Sequence, residues 1–346
     1  MYSPGNLSVD SRSTAYDYSN TVRTISAVVK TADGEIAKKS TEVYQKFNFG
    51  ERLVAMTLDP DGQALRSSYT YYTDSANNGS YGRIATESLA DGSWYAYTYN
   101  TDGWETKIIA PWLNSAFNSP AAESQEFSLS YTPNDNRDII TLEDKRSRLF
   151  ETKILGKTIK KIFKAYYFEN NAYTEIQEEA TTPTAIWGDE SNLKTVWKYY
   201  PKGDCTSASA GRIQQIIYPD QTTKSYTYEY GNLQQDATTG TYTFTPGNGN
   251  ALRVYITQGT ISSPAGIAYK SMREEQFYDI RGNQVYSGTQ IYTGNGYETA
   301  NWVRYGYDEQ HRVLSELKSN GELTETTWNC CQKTSETLPD GMQYLY

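Results

Sequence analysis

Histidine occurs once in these 346 residues, at His311, and cysteine three times, at Cys205, Cys330 and Cys331. Ser-His-Asp and Cys-His catalysis would need His311 placed beside a nucleophile, and nothing in the sequence suggests that placement. Three thiols are too few for a disulfide framework, and no second cysteine pair or histidine cluster completes a zinc site. The vicinal pair Cys330-Cys331 reads as two strand residues directed to opposite faces, with a ring disulfide or metal binding as the alternative. No run approaches 18 apolar residues, so no transmembrane segment is expected. The first residues, MYSPGNLSVDSRS, carry neither a basic n-region nor an apolar h-region, so no secretory signal is read there. Positive charge is short as well: 32 Lys and Arg face 41 Asp and Glu, for a net charge of −9. That disfavours general nucleic-acid binding, which needs a basic surface. GxGxxG and Walker loops are missing, and no catalytic residue, cofactor or metal site is assigned.

Tyrosine is what the chain has in abundance, 32 residues beside 7 Trp and 9 Phe. Aromatic and β-branched residues suit a pleated, half-buried surface. A mean hydropathy of −0.71 with 37% hydrophobic residues fits sheets in which tyrosine supplies the apolar contact. The fold class is all-β. Its unit is Gly82 to Asn100, GRIATESLADGSWYAYTYN, an alternating hairpin turning at Asp91-Gly92. Arg83 and Asp91 are eight residues apart, as are Arg212 and Asp220, and Arg312 and Asn320. Aromatics follow the turn residue at six and eight positions in two copies, Tyr97 and Tyr99, then Tyr226 and Tyr228. In the third copy Asn320-Gly321 leads to Thr326 and Trp328. A looser copy starts at Gly50-Glu51-Arg52-Leu53, and Asp340-Gly341 opens another. Recurring Asp91, Asp220 and Asp340 at turns read as structure rather than as a catalytic carboxylate pair. A two-residue turn places Ile84 opposite Tyr99, Ile213 opposite Tyr228 and Val313 opposite Trp328, with a bulge expected at Leu53. Arg83, Arg212 and Arg312 would stack on a tyrosine face or pair with a turn Asp, holding hairpins in register.

The pattern Y-D-x-x-G-R-[IVL], followed by D-G and Y-x-Y, resembles the YD repeats of the Rhs family. Its relatives include teneurins and the C components of insecticidal toxin complexes. The match covers Gly50 to about Ile109 and about Gly211 to Tyr346. The resemblance implies a spiral hairpin ribbon forming a curved sheet, part of a shell that encloses a toxic cargo or builds a cell-surface module. It implies a scaffold rather than an enzyme, with the rest of a larger polypeptide or its cargo as partner, secreted or at the cell surface. No Asp-Pro-x-Gly-Leu type segment follows the repeats, so neither autoproteolysis nor a toxin activity carries over. Too few repeats are present to close a cage alone. The alternative is a glycan- or protein-binding module using the tyrosines as platforms, with carbohydrate as its ligand.

Along the chain, residues 1–114 hold N-terminal strands and repeats, 115–200 a divergent β-rich insert, and 201–346 the C-terminal repeats. One continuous sheet is expected rather than independent domains. Asp33-Gly34 is a further hairpin turn. Leu155, Ile159, Ile162 and Tyr166 would share a helical face, but β-branched neighbours favour a hairpin turning near Gly156-Lys157. His311 takes the Gly slot of a Gly-Arg-Ile unit. Side-by-side repeats leave open edges at 1–30 and 330–346. The isolated chain is therefore expected to self-associate, which light scattering after size exclusion measures. A monodisperse monomer at high concentration counts against an open sheet.

Overall fold

The structure is a computed structural model that describes residues 8–17, 21–30, 36–203, 207–260 and 272–346. Cys205 and the Asp33-Gly34 turn lie outside the described residues. The chain forms two compact units, one of residues 1–136, 140–164 and 179–192, the other of 137–139, 165–178 and 193–346.

The first unit is an antiparallel meander in which each strand bonds to the next. Its strands are β1 (Ser8–Asp17), β2 (Val22–Lys30), β3 (Ile36–Phe47), β4 (Gly50–Leu58), β5 (Leu65–Tyr71) and β6 (Ile84–Ser88). They continue through β7 (Trp94–Tyr99), β8 (Glu105–Ala110), β9 (Gln125–Ser130), β10 (Leu149–Ile154) and the start of β11 (Lys157–Glu169). The lysine-rich segment is a hairpin: Ile154 pairs with Lys157, and Leu155 and Gly156 have φ of 51° and 74°. Two left-handed residues in succession make the tight turn whose twist matches the strands.

The second unit receives most of β12 (Ala172–Glu179) and then β13 (Leu193–Tyr199), β14 (Ile213–Ile217), β15 (Thr222–Gln235), β16 (Tyr242–Pro246) and β17 (Ala251–Thr260). It ends with β18 (Met272–Tyr278), β19 (Gln284–Tyr292), β20 (Tyr297–Tyr307), β21 (Val313–Lys318), β22 (Leu323–Trp328), β23 (Lys333–Thr337) and β24 (Gln343–Leu345). Among the described residues, the meander departs from neighbour pairing at β15. Gly231 to Gln235 of β15 pairs with β16, while Thr222 to Gly231 pairs with β17. The protein is all-β: among the described residues there is no α-helix, only a 3-10 turn at Ala121–Glu123.

Apolar packing in the second unit is thin and two-sided. Leu252 and Val254 pack with Tyr226, Tyr228, Tyr230 and Tyr278. Phe277, Val285 and Tyr286 pack with Leu233, Tyr242, Phe244 and Trp302. Val254 pairs with Gln276, so its neighbour Phe277 points the other way and the two clusters lie on opposite faces.

The turns correct the two-residue arithmetic. Leu89 N–H donates to Ser93 O and Gly92 N–H to Leu89 O. Of the turn residues only Gly92, at φ 86°, is left-handed. This is a three-residue loop, a type I turn closed by one left-handed residue. Asp91 sits in the right-handed part, where its carboxylate accepts the Ser93 N–H at 2.9 Å and the Ser93 hydroxyl at 2.6 Å. Register slips by one: Thr86 faces Ala96, not Tyr97.

A recurring bulge nevertheless restores the expected face. Thr70 pairs with Thr86 but Tyr71 with Ile84, leaving Ala85 unmatched. The extra residue turns Ile84 onto the face of Tyr97 and Tyr99. The same skip falls at Val54, Thr106, Gln214, Val285, Leu314 and Thr334. Each time the first pair beyond the bulge contains an aromatic: Tyr44, Tyr99, Tyr199, Tyr278, Tyr307 or Trp328. The bulge expected at Leu53 is thus one of a series, not a consequence of a late turn.

Gln221 holds the left-handed slot of its turn at φ 67°, where Gly92 stands in the first copy. An L-residue there is disfavoured by about 1–2 kcal/mol. Gln221→Gly is expected to raise stability by about 0.5–1 kcal/mol, and Gly92→Ala to lower it by about 1 kcal/mol. Urea midpoints measure both. Shifts of the same sign would refute the turn geometry.

Candidate functional site

The feature that recurs across the described chain lies at the splayed end of its hairpins. In the β6–β7 pair the ladder runs from Ser88 and Trp94 to Thr86 and Ala96, and there it stops. Two residues back, the Ile84 carbonyl has passed the bulge, and no β7 amide pairs with it. Tyr99, three residues past Ala96, swings its hydroxyl across and donates to that carbonyl at 2.9 Å. Tyr71 does the same to Leu53 at 2.7 Å, Tyr228 to Ile213 at 2.9 Å and Tyr307 to Gln284 at 2.9 Å. In the fifth copy Trp328 uses its indole Nε1–H on Val313, at 2.9 Å. A buried carbonyl without a donor is costly, and a side chain with an apolar body and a polar tip supplies one.

The arginines lie over these same rings. Arg83 is 5.5 Å from the Tyr99 centroid, Arg212 is 5.3 Å from Tyr228, and Arg312 is 5.3 Å from Trp328. Arg83 Nε also donates to Gly79 O at 2.9 Å, and its guanidinium occupies the space where a Cβ on Gly103 would stand. Arg312 Nε pairs with Asp308 at 2.7 Å. Tyr72 Oη donates to Tyr97 O at 2.6 Å with its ring edge-on to Tyr99, and Tyr200 repeats this on Tyr226 and Tyr228. Of the sequence-assigned residues, Arg83 joins Tyr99, Arg212 joins Tyr228, and Arg312 joins Trp328. Tyr97 donates to the Glu87 carboxylate, and Tyr226 stacks on Tyr228. Asp91, Gly92, Asp220, Asn320 and Gly321 stay at the far, turn end of their hairpins, where Asp220 and Asn320 accept the amides of Thr222 and Glu322. The arginines therefore meet aromatic rings, and Arg312 an aspartate from the other turn. Sequence reasoning missed Tyr71, Tyr72, Tyr200 and Tyr307 as donors, although Tyr71-Tyr72 and Tyr199-Tyr200 both precede a Gly-Arg-Ile.

A second turn type recurs in three of the described loops. Asn100 Oδ1 accepts the N–H of Asp102 and Trp104, Asp279 those of Arg281 and Asn283, and Asp308 those of Gln310 and Arg312. The acidic or amide residue after the aromatic thus folds the loop, and in the Asp308 copy that loop presents the repeat arginine, Arg312. His311 takes the left-handed slot of that loop at φ 65°, with Nδ1 2.8 Å from Asn283 Oδ1. Cys330 and Cys331 are loop residues with Sγ atoms 2.8 Å apart. That corrects their reading as strand residues on opposite faces, because the strands end at Trp328 and resume at Lys333.

Burial pushes the Tyr99 and Tyr228 hydroxyls up to about 12, with Glu105 adding to the effect at Tyr99 and Tyr226 at Tyr228. Tyr97 is raised by burial and by its bond to Glu87. These phenols are donors held protonated, not poised bases. Beside them, Tyr226, Tyr228, Tyr230, Tyr278 and Leu252 line an open groove of about 540 Å³, with Arg212 and Gln276 at its polar positions. Asn250 and Asp279 line it as well, so the surface sets aromatic rings beside several hydrogen-bonding groups. Among the described residues no group of three or more His, Cys, Asp or Glu lies together to hold a metal ion, and no helix is long and apolar enough to cross a membrane.

No protein-family model matches the chain, and no curated protein does. Among solved structures it is similar to the TcdB2-TccC3 complex, at 11% identity and a TM-score of 0.31, covering 93% of this chain and 18% of that one. It is also similar to a porin-like protein from Bacteroides uniformis, at 12% identity and a TM-score of 0.29, covering 83% and 94%. A Photorhabdus luminescens Tc holotoxin pore matches at 10% identity and a TM-score of 0.26, covering 94% and 18%. The chain therefore spans about 18% of the toxin-complex chains it matches. At these scores none of the similarities carries a functional argument.

Tyr99→Phe and Tyr228→Phe keep the ring under the arginine and remove only the donor. Each is expected to cost about 1 kcal/mol in urea unfolding, and the pair to add, since the two sites share no partner. Phenols whose folded pKa is raised stabilise the fold below their unfolded value near 10 and lose that contribution as pH rises. Stability is therefore expected to hold to about pH 10 and fall between about pH 10 and 12. Spectrophotometric tyrosinate titration checks the second point: a large fraction should ionise only with unfolding, and early ionisation of all tyrosines would contradict it.

Proposed function

We propose that this chain is a non-catalytic scaffold, a YD-repeat shell segment of a larger Rhs-like polypeptide of toxin or cell-surface type. The observation that carries the reading is the fivefold aromatic-to-carbonyl bond. The chain's distinctive side chains, its tyrosines and arginines, close the open ends of its hairpins, and Tyr72 and Tyr200 tie two of those hairpins to the strand before them. A repeat joined this way extends by nearest-neighbour contacts, as a shell wall requires.

The test isolates the polypeptide that carries this segment from its native source and digests it without denaturant. A shell segment is expected to survive as a protease-resistant body together with an attached cargo, and the cargo to become cleavable only after denaturation. Cargo that is cut as fast in the native state would overturn the reading. The groove beside Tyr228 supports a second reading, a glycan- or protein-binding surface. A glycan array separates the two: the scaffold predicts no ligand above background, whereas binding abolished by Tyr226→Ala and Tyr278→Ala would favour the second.

A further inference from the structure

The loop joining β22 to β23 is built differently from the other loops that follow a repeat aromatic. Asn100, Asp279 and Asp308 each donate their N–H to the carbonyl four residues on, with a left-handed residue inside the loop. Asn329 N–H reaches Gln332 O instead, one residue sooner, and the two residues enclosed are Cys330 and Cys331. Neither has a positive φ. The Asn329 side-chain oxygen accepts the N–H of Cys331 and of Gln332, both at 2.8 Å. Its main-chain carbonyl is taken by Arg312 at 2.5 Å. The backbone around the pair is fixed from three directions, and both thiols are exposed. Their sulfurs converge to 2.8 Å on one side of the loop.

We propose that Cys330 and Cys331 are a thiol–disulfide exchange site that forms a reversible vicinal disulfide with a low-molecular-weight disulfide as co-reactant. The thiolate of Cys330 attacks one sulfur of the co-reactant, forming a mixed disulfide and expelling one small thiolate, which takes up a proton. The Cys331 sulfur, after losing its proton, then attacks Cys330 Sγ. The Sγ–Sγ bond forms, the mixed disulfide breaks, and the second small thiol leaves. Two protein thiols are oxidised, one small disulfide is reduced to two thiols, and both protons end on them. Cys331 suits the second role because its hydrogen bond with Cys330 raises its pKa and keeps it protonated. A ring closed through one peptide unit constrains almost none of the unfolded chain, so it adds little stability and stays reducible, unlike a structural disulfide. Arg312 ties this loop to the Trp328 ring, which places the exchange site beside one of the repeat's aromatic bonds.

The experiment treats the fully reduced chain with oxidised glutathione, blocks remaining thiols with maleimide, and analyses tryptic peptides by mass. The Ser319 to Lys333 peptide contains both sulfurs, and Cys205 falls in a separate peptide. That loop peptide is expected to lack two hydrogens, to carry neither glutathione nor maleimide, and to regain both thiols with dithiothreitol. Cys331→Ser should instead retain glutathione on Cys330, and Asn329→Ala should close the ring about fivefold more slowly, the equivalent of one lost hydrogen bond. Maleimide on both sulfurs, a stable glutathione adduct on the unsubstituted pair, or a link to Cys205 or to a second chain would overturn the proposal. Absence of an adduct on Cys330 in Cys331→Ser would overturn the assignment of the attacking sulfur.

Discussion

A carbonyl released by a bulge, and the aromatic donor that reaches across to it, is the interaction on which the rest of this fold depends. The bulge bends each strand just after the loop that precedes it, and the ladder to the next strand ends two residues short of the carbonyl. Without a donor the strands would part at that end with an unpaired acceptor between half-buried rings. A tyrosine hydroxyl or tryptophan N–H closes the gap, and its ring becomes the surface on which an arginine lies. Two aromatics serve twice. Tyr71 donates to Leu53 and pairs with Ile84, whose carbonyl is Tyr99's acceptor. Tyr307 donates to Gln284 and pairs with Val313, whose carbonyl is Trp328's. In these two places one bond positions the acceptor of the next.

That linkage explains how a chain with so little aliphatic content folds as extended sheet. A thin sheet with clusters on both faces cannot bury much side-chain area at any one place. Tyrosine tolerates this because its ring packs while its hydroxyl stays satisfied at the margin. The arginines extend the same logic: the planar guanidinium covers a ring and still donates at its edge to a carbonyl or carboxylate. Lysine would keep the charge and lose both the cover and the fixed geometry.

The all-β class and the hairpin unit were legible because strand alternation, Asp-Gly or Asn-Gly turns and a fixed Arg-to-turn spacing repeat along the chain. For Arg83, Arg212 and Arg312 the sequence left stacking on a tyrosine and pairing with a turn aspartate both open. The register was not legible. Asp91-Gly92 is compatible with a two-residue or a three-residue loop, and the choice rests on where the Asp91 carboxylate finds its amide. The bulged residues Ala85, Gln214 and Leu314 share no side-chain type, only their place two after the repeat arginine. The bulge's effect cancels the register error, so the expectation that Ile84 and Tyr99 share a face holds although their direct pairing does not. Tyr72 and Tyr200 were visible as a repeated pair, but a donor's target depends on how the loop to the next Gly-Arg folds. Cys330 and Cys331 misled for the same reason, because a loop shortened by one residue looks like strand in an alternating pattern.

The most direct test of the aromatic bond uses the copy whose donor can be followed by nuclear magnetic resonance, the Trp328 indole N–H. Its signal can be assigned by comparison with Trp328→Phe, and its exchange with solvent deuterium followed in the folded chain. Donation to the Val313 carbonyl predicts slow exchange, protected like a ladder amide of β22 and released only when that hairpin opens. Exchange at the rate of a free indole would mean that the carbonyl has no such donor, and the account of how the open ends of these hairpins are closed would fail.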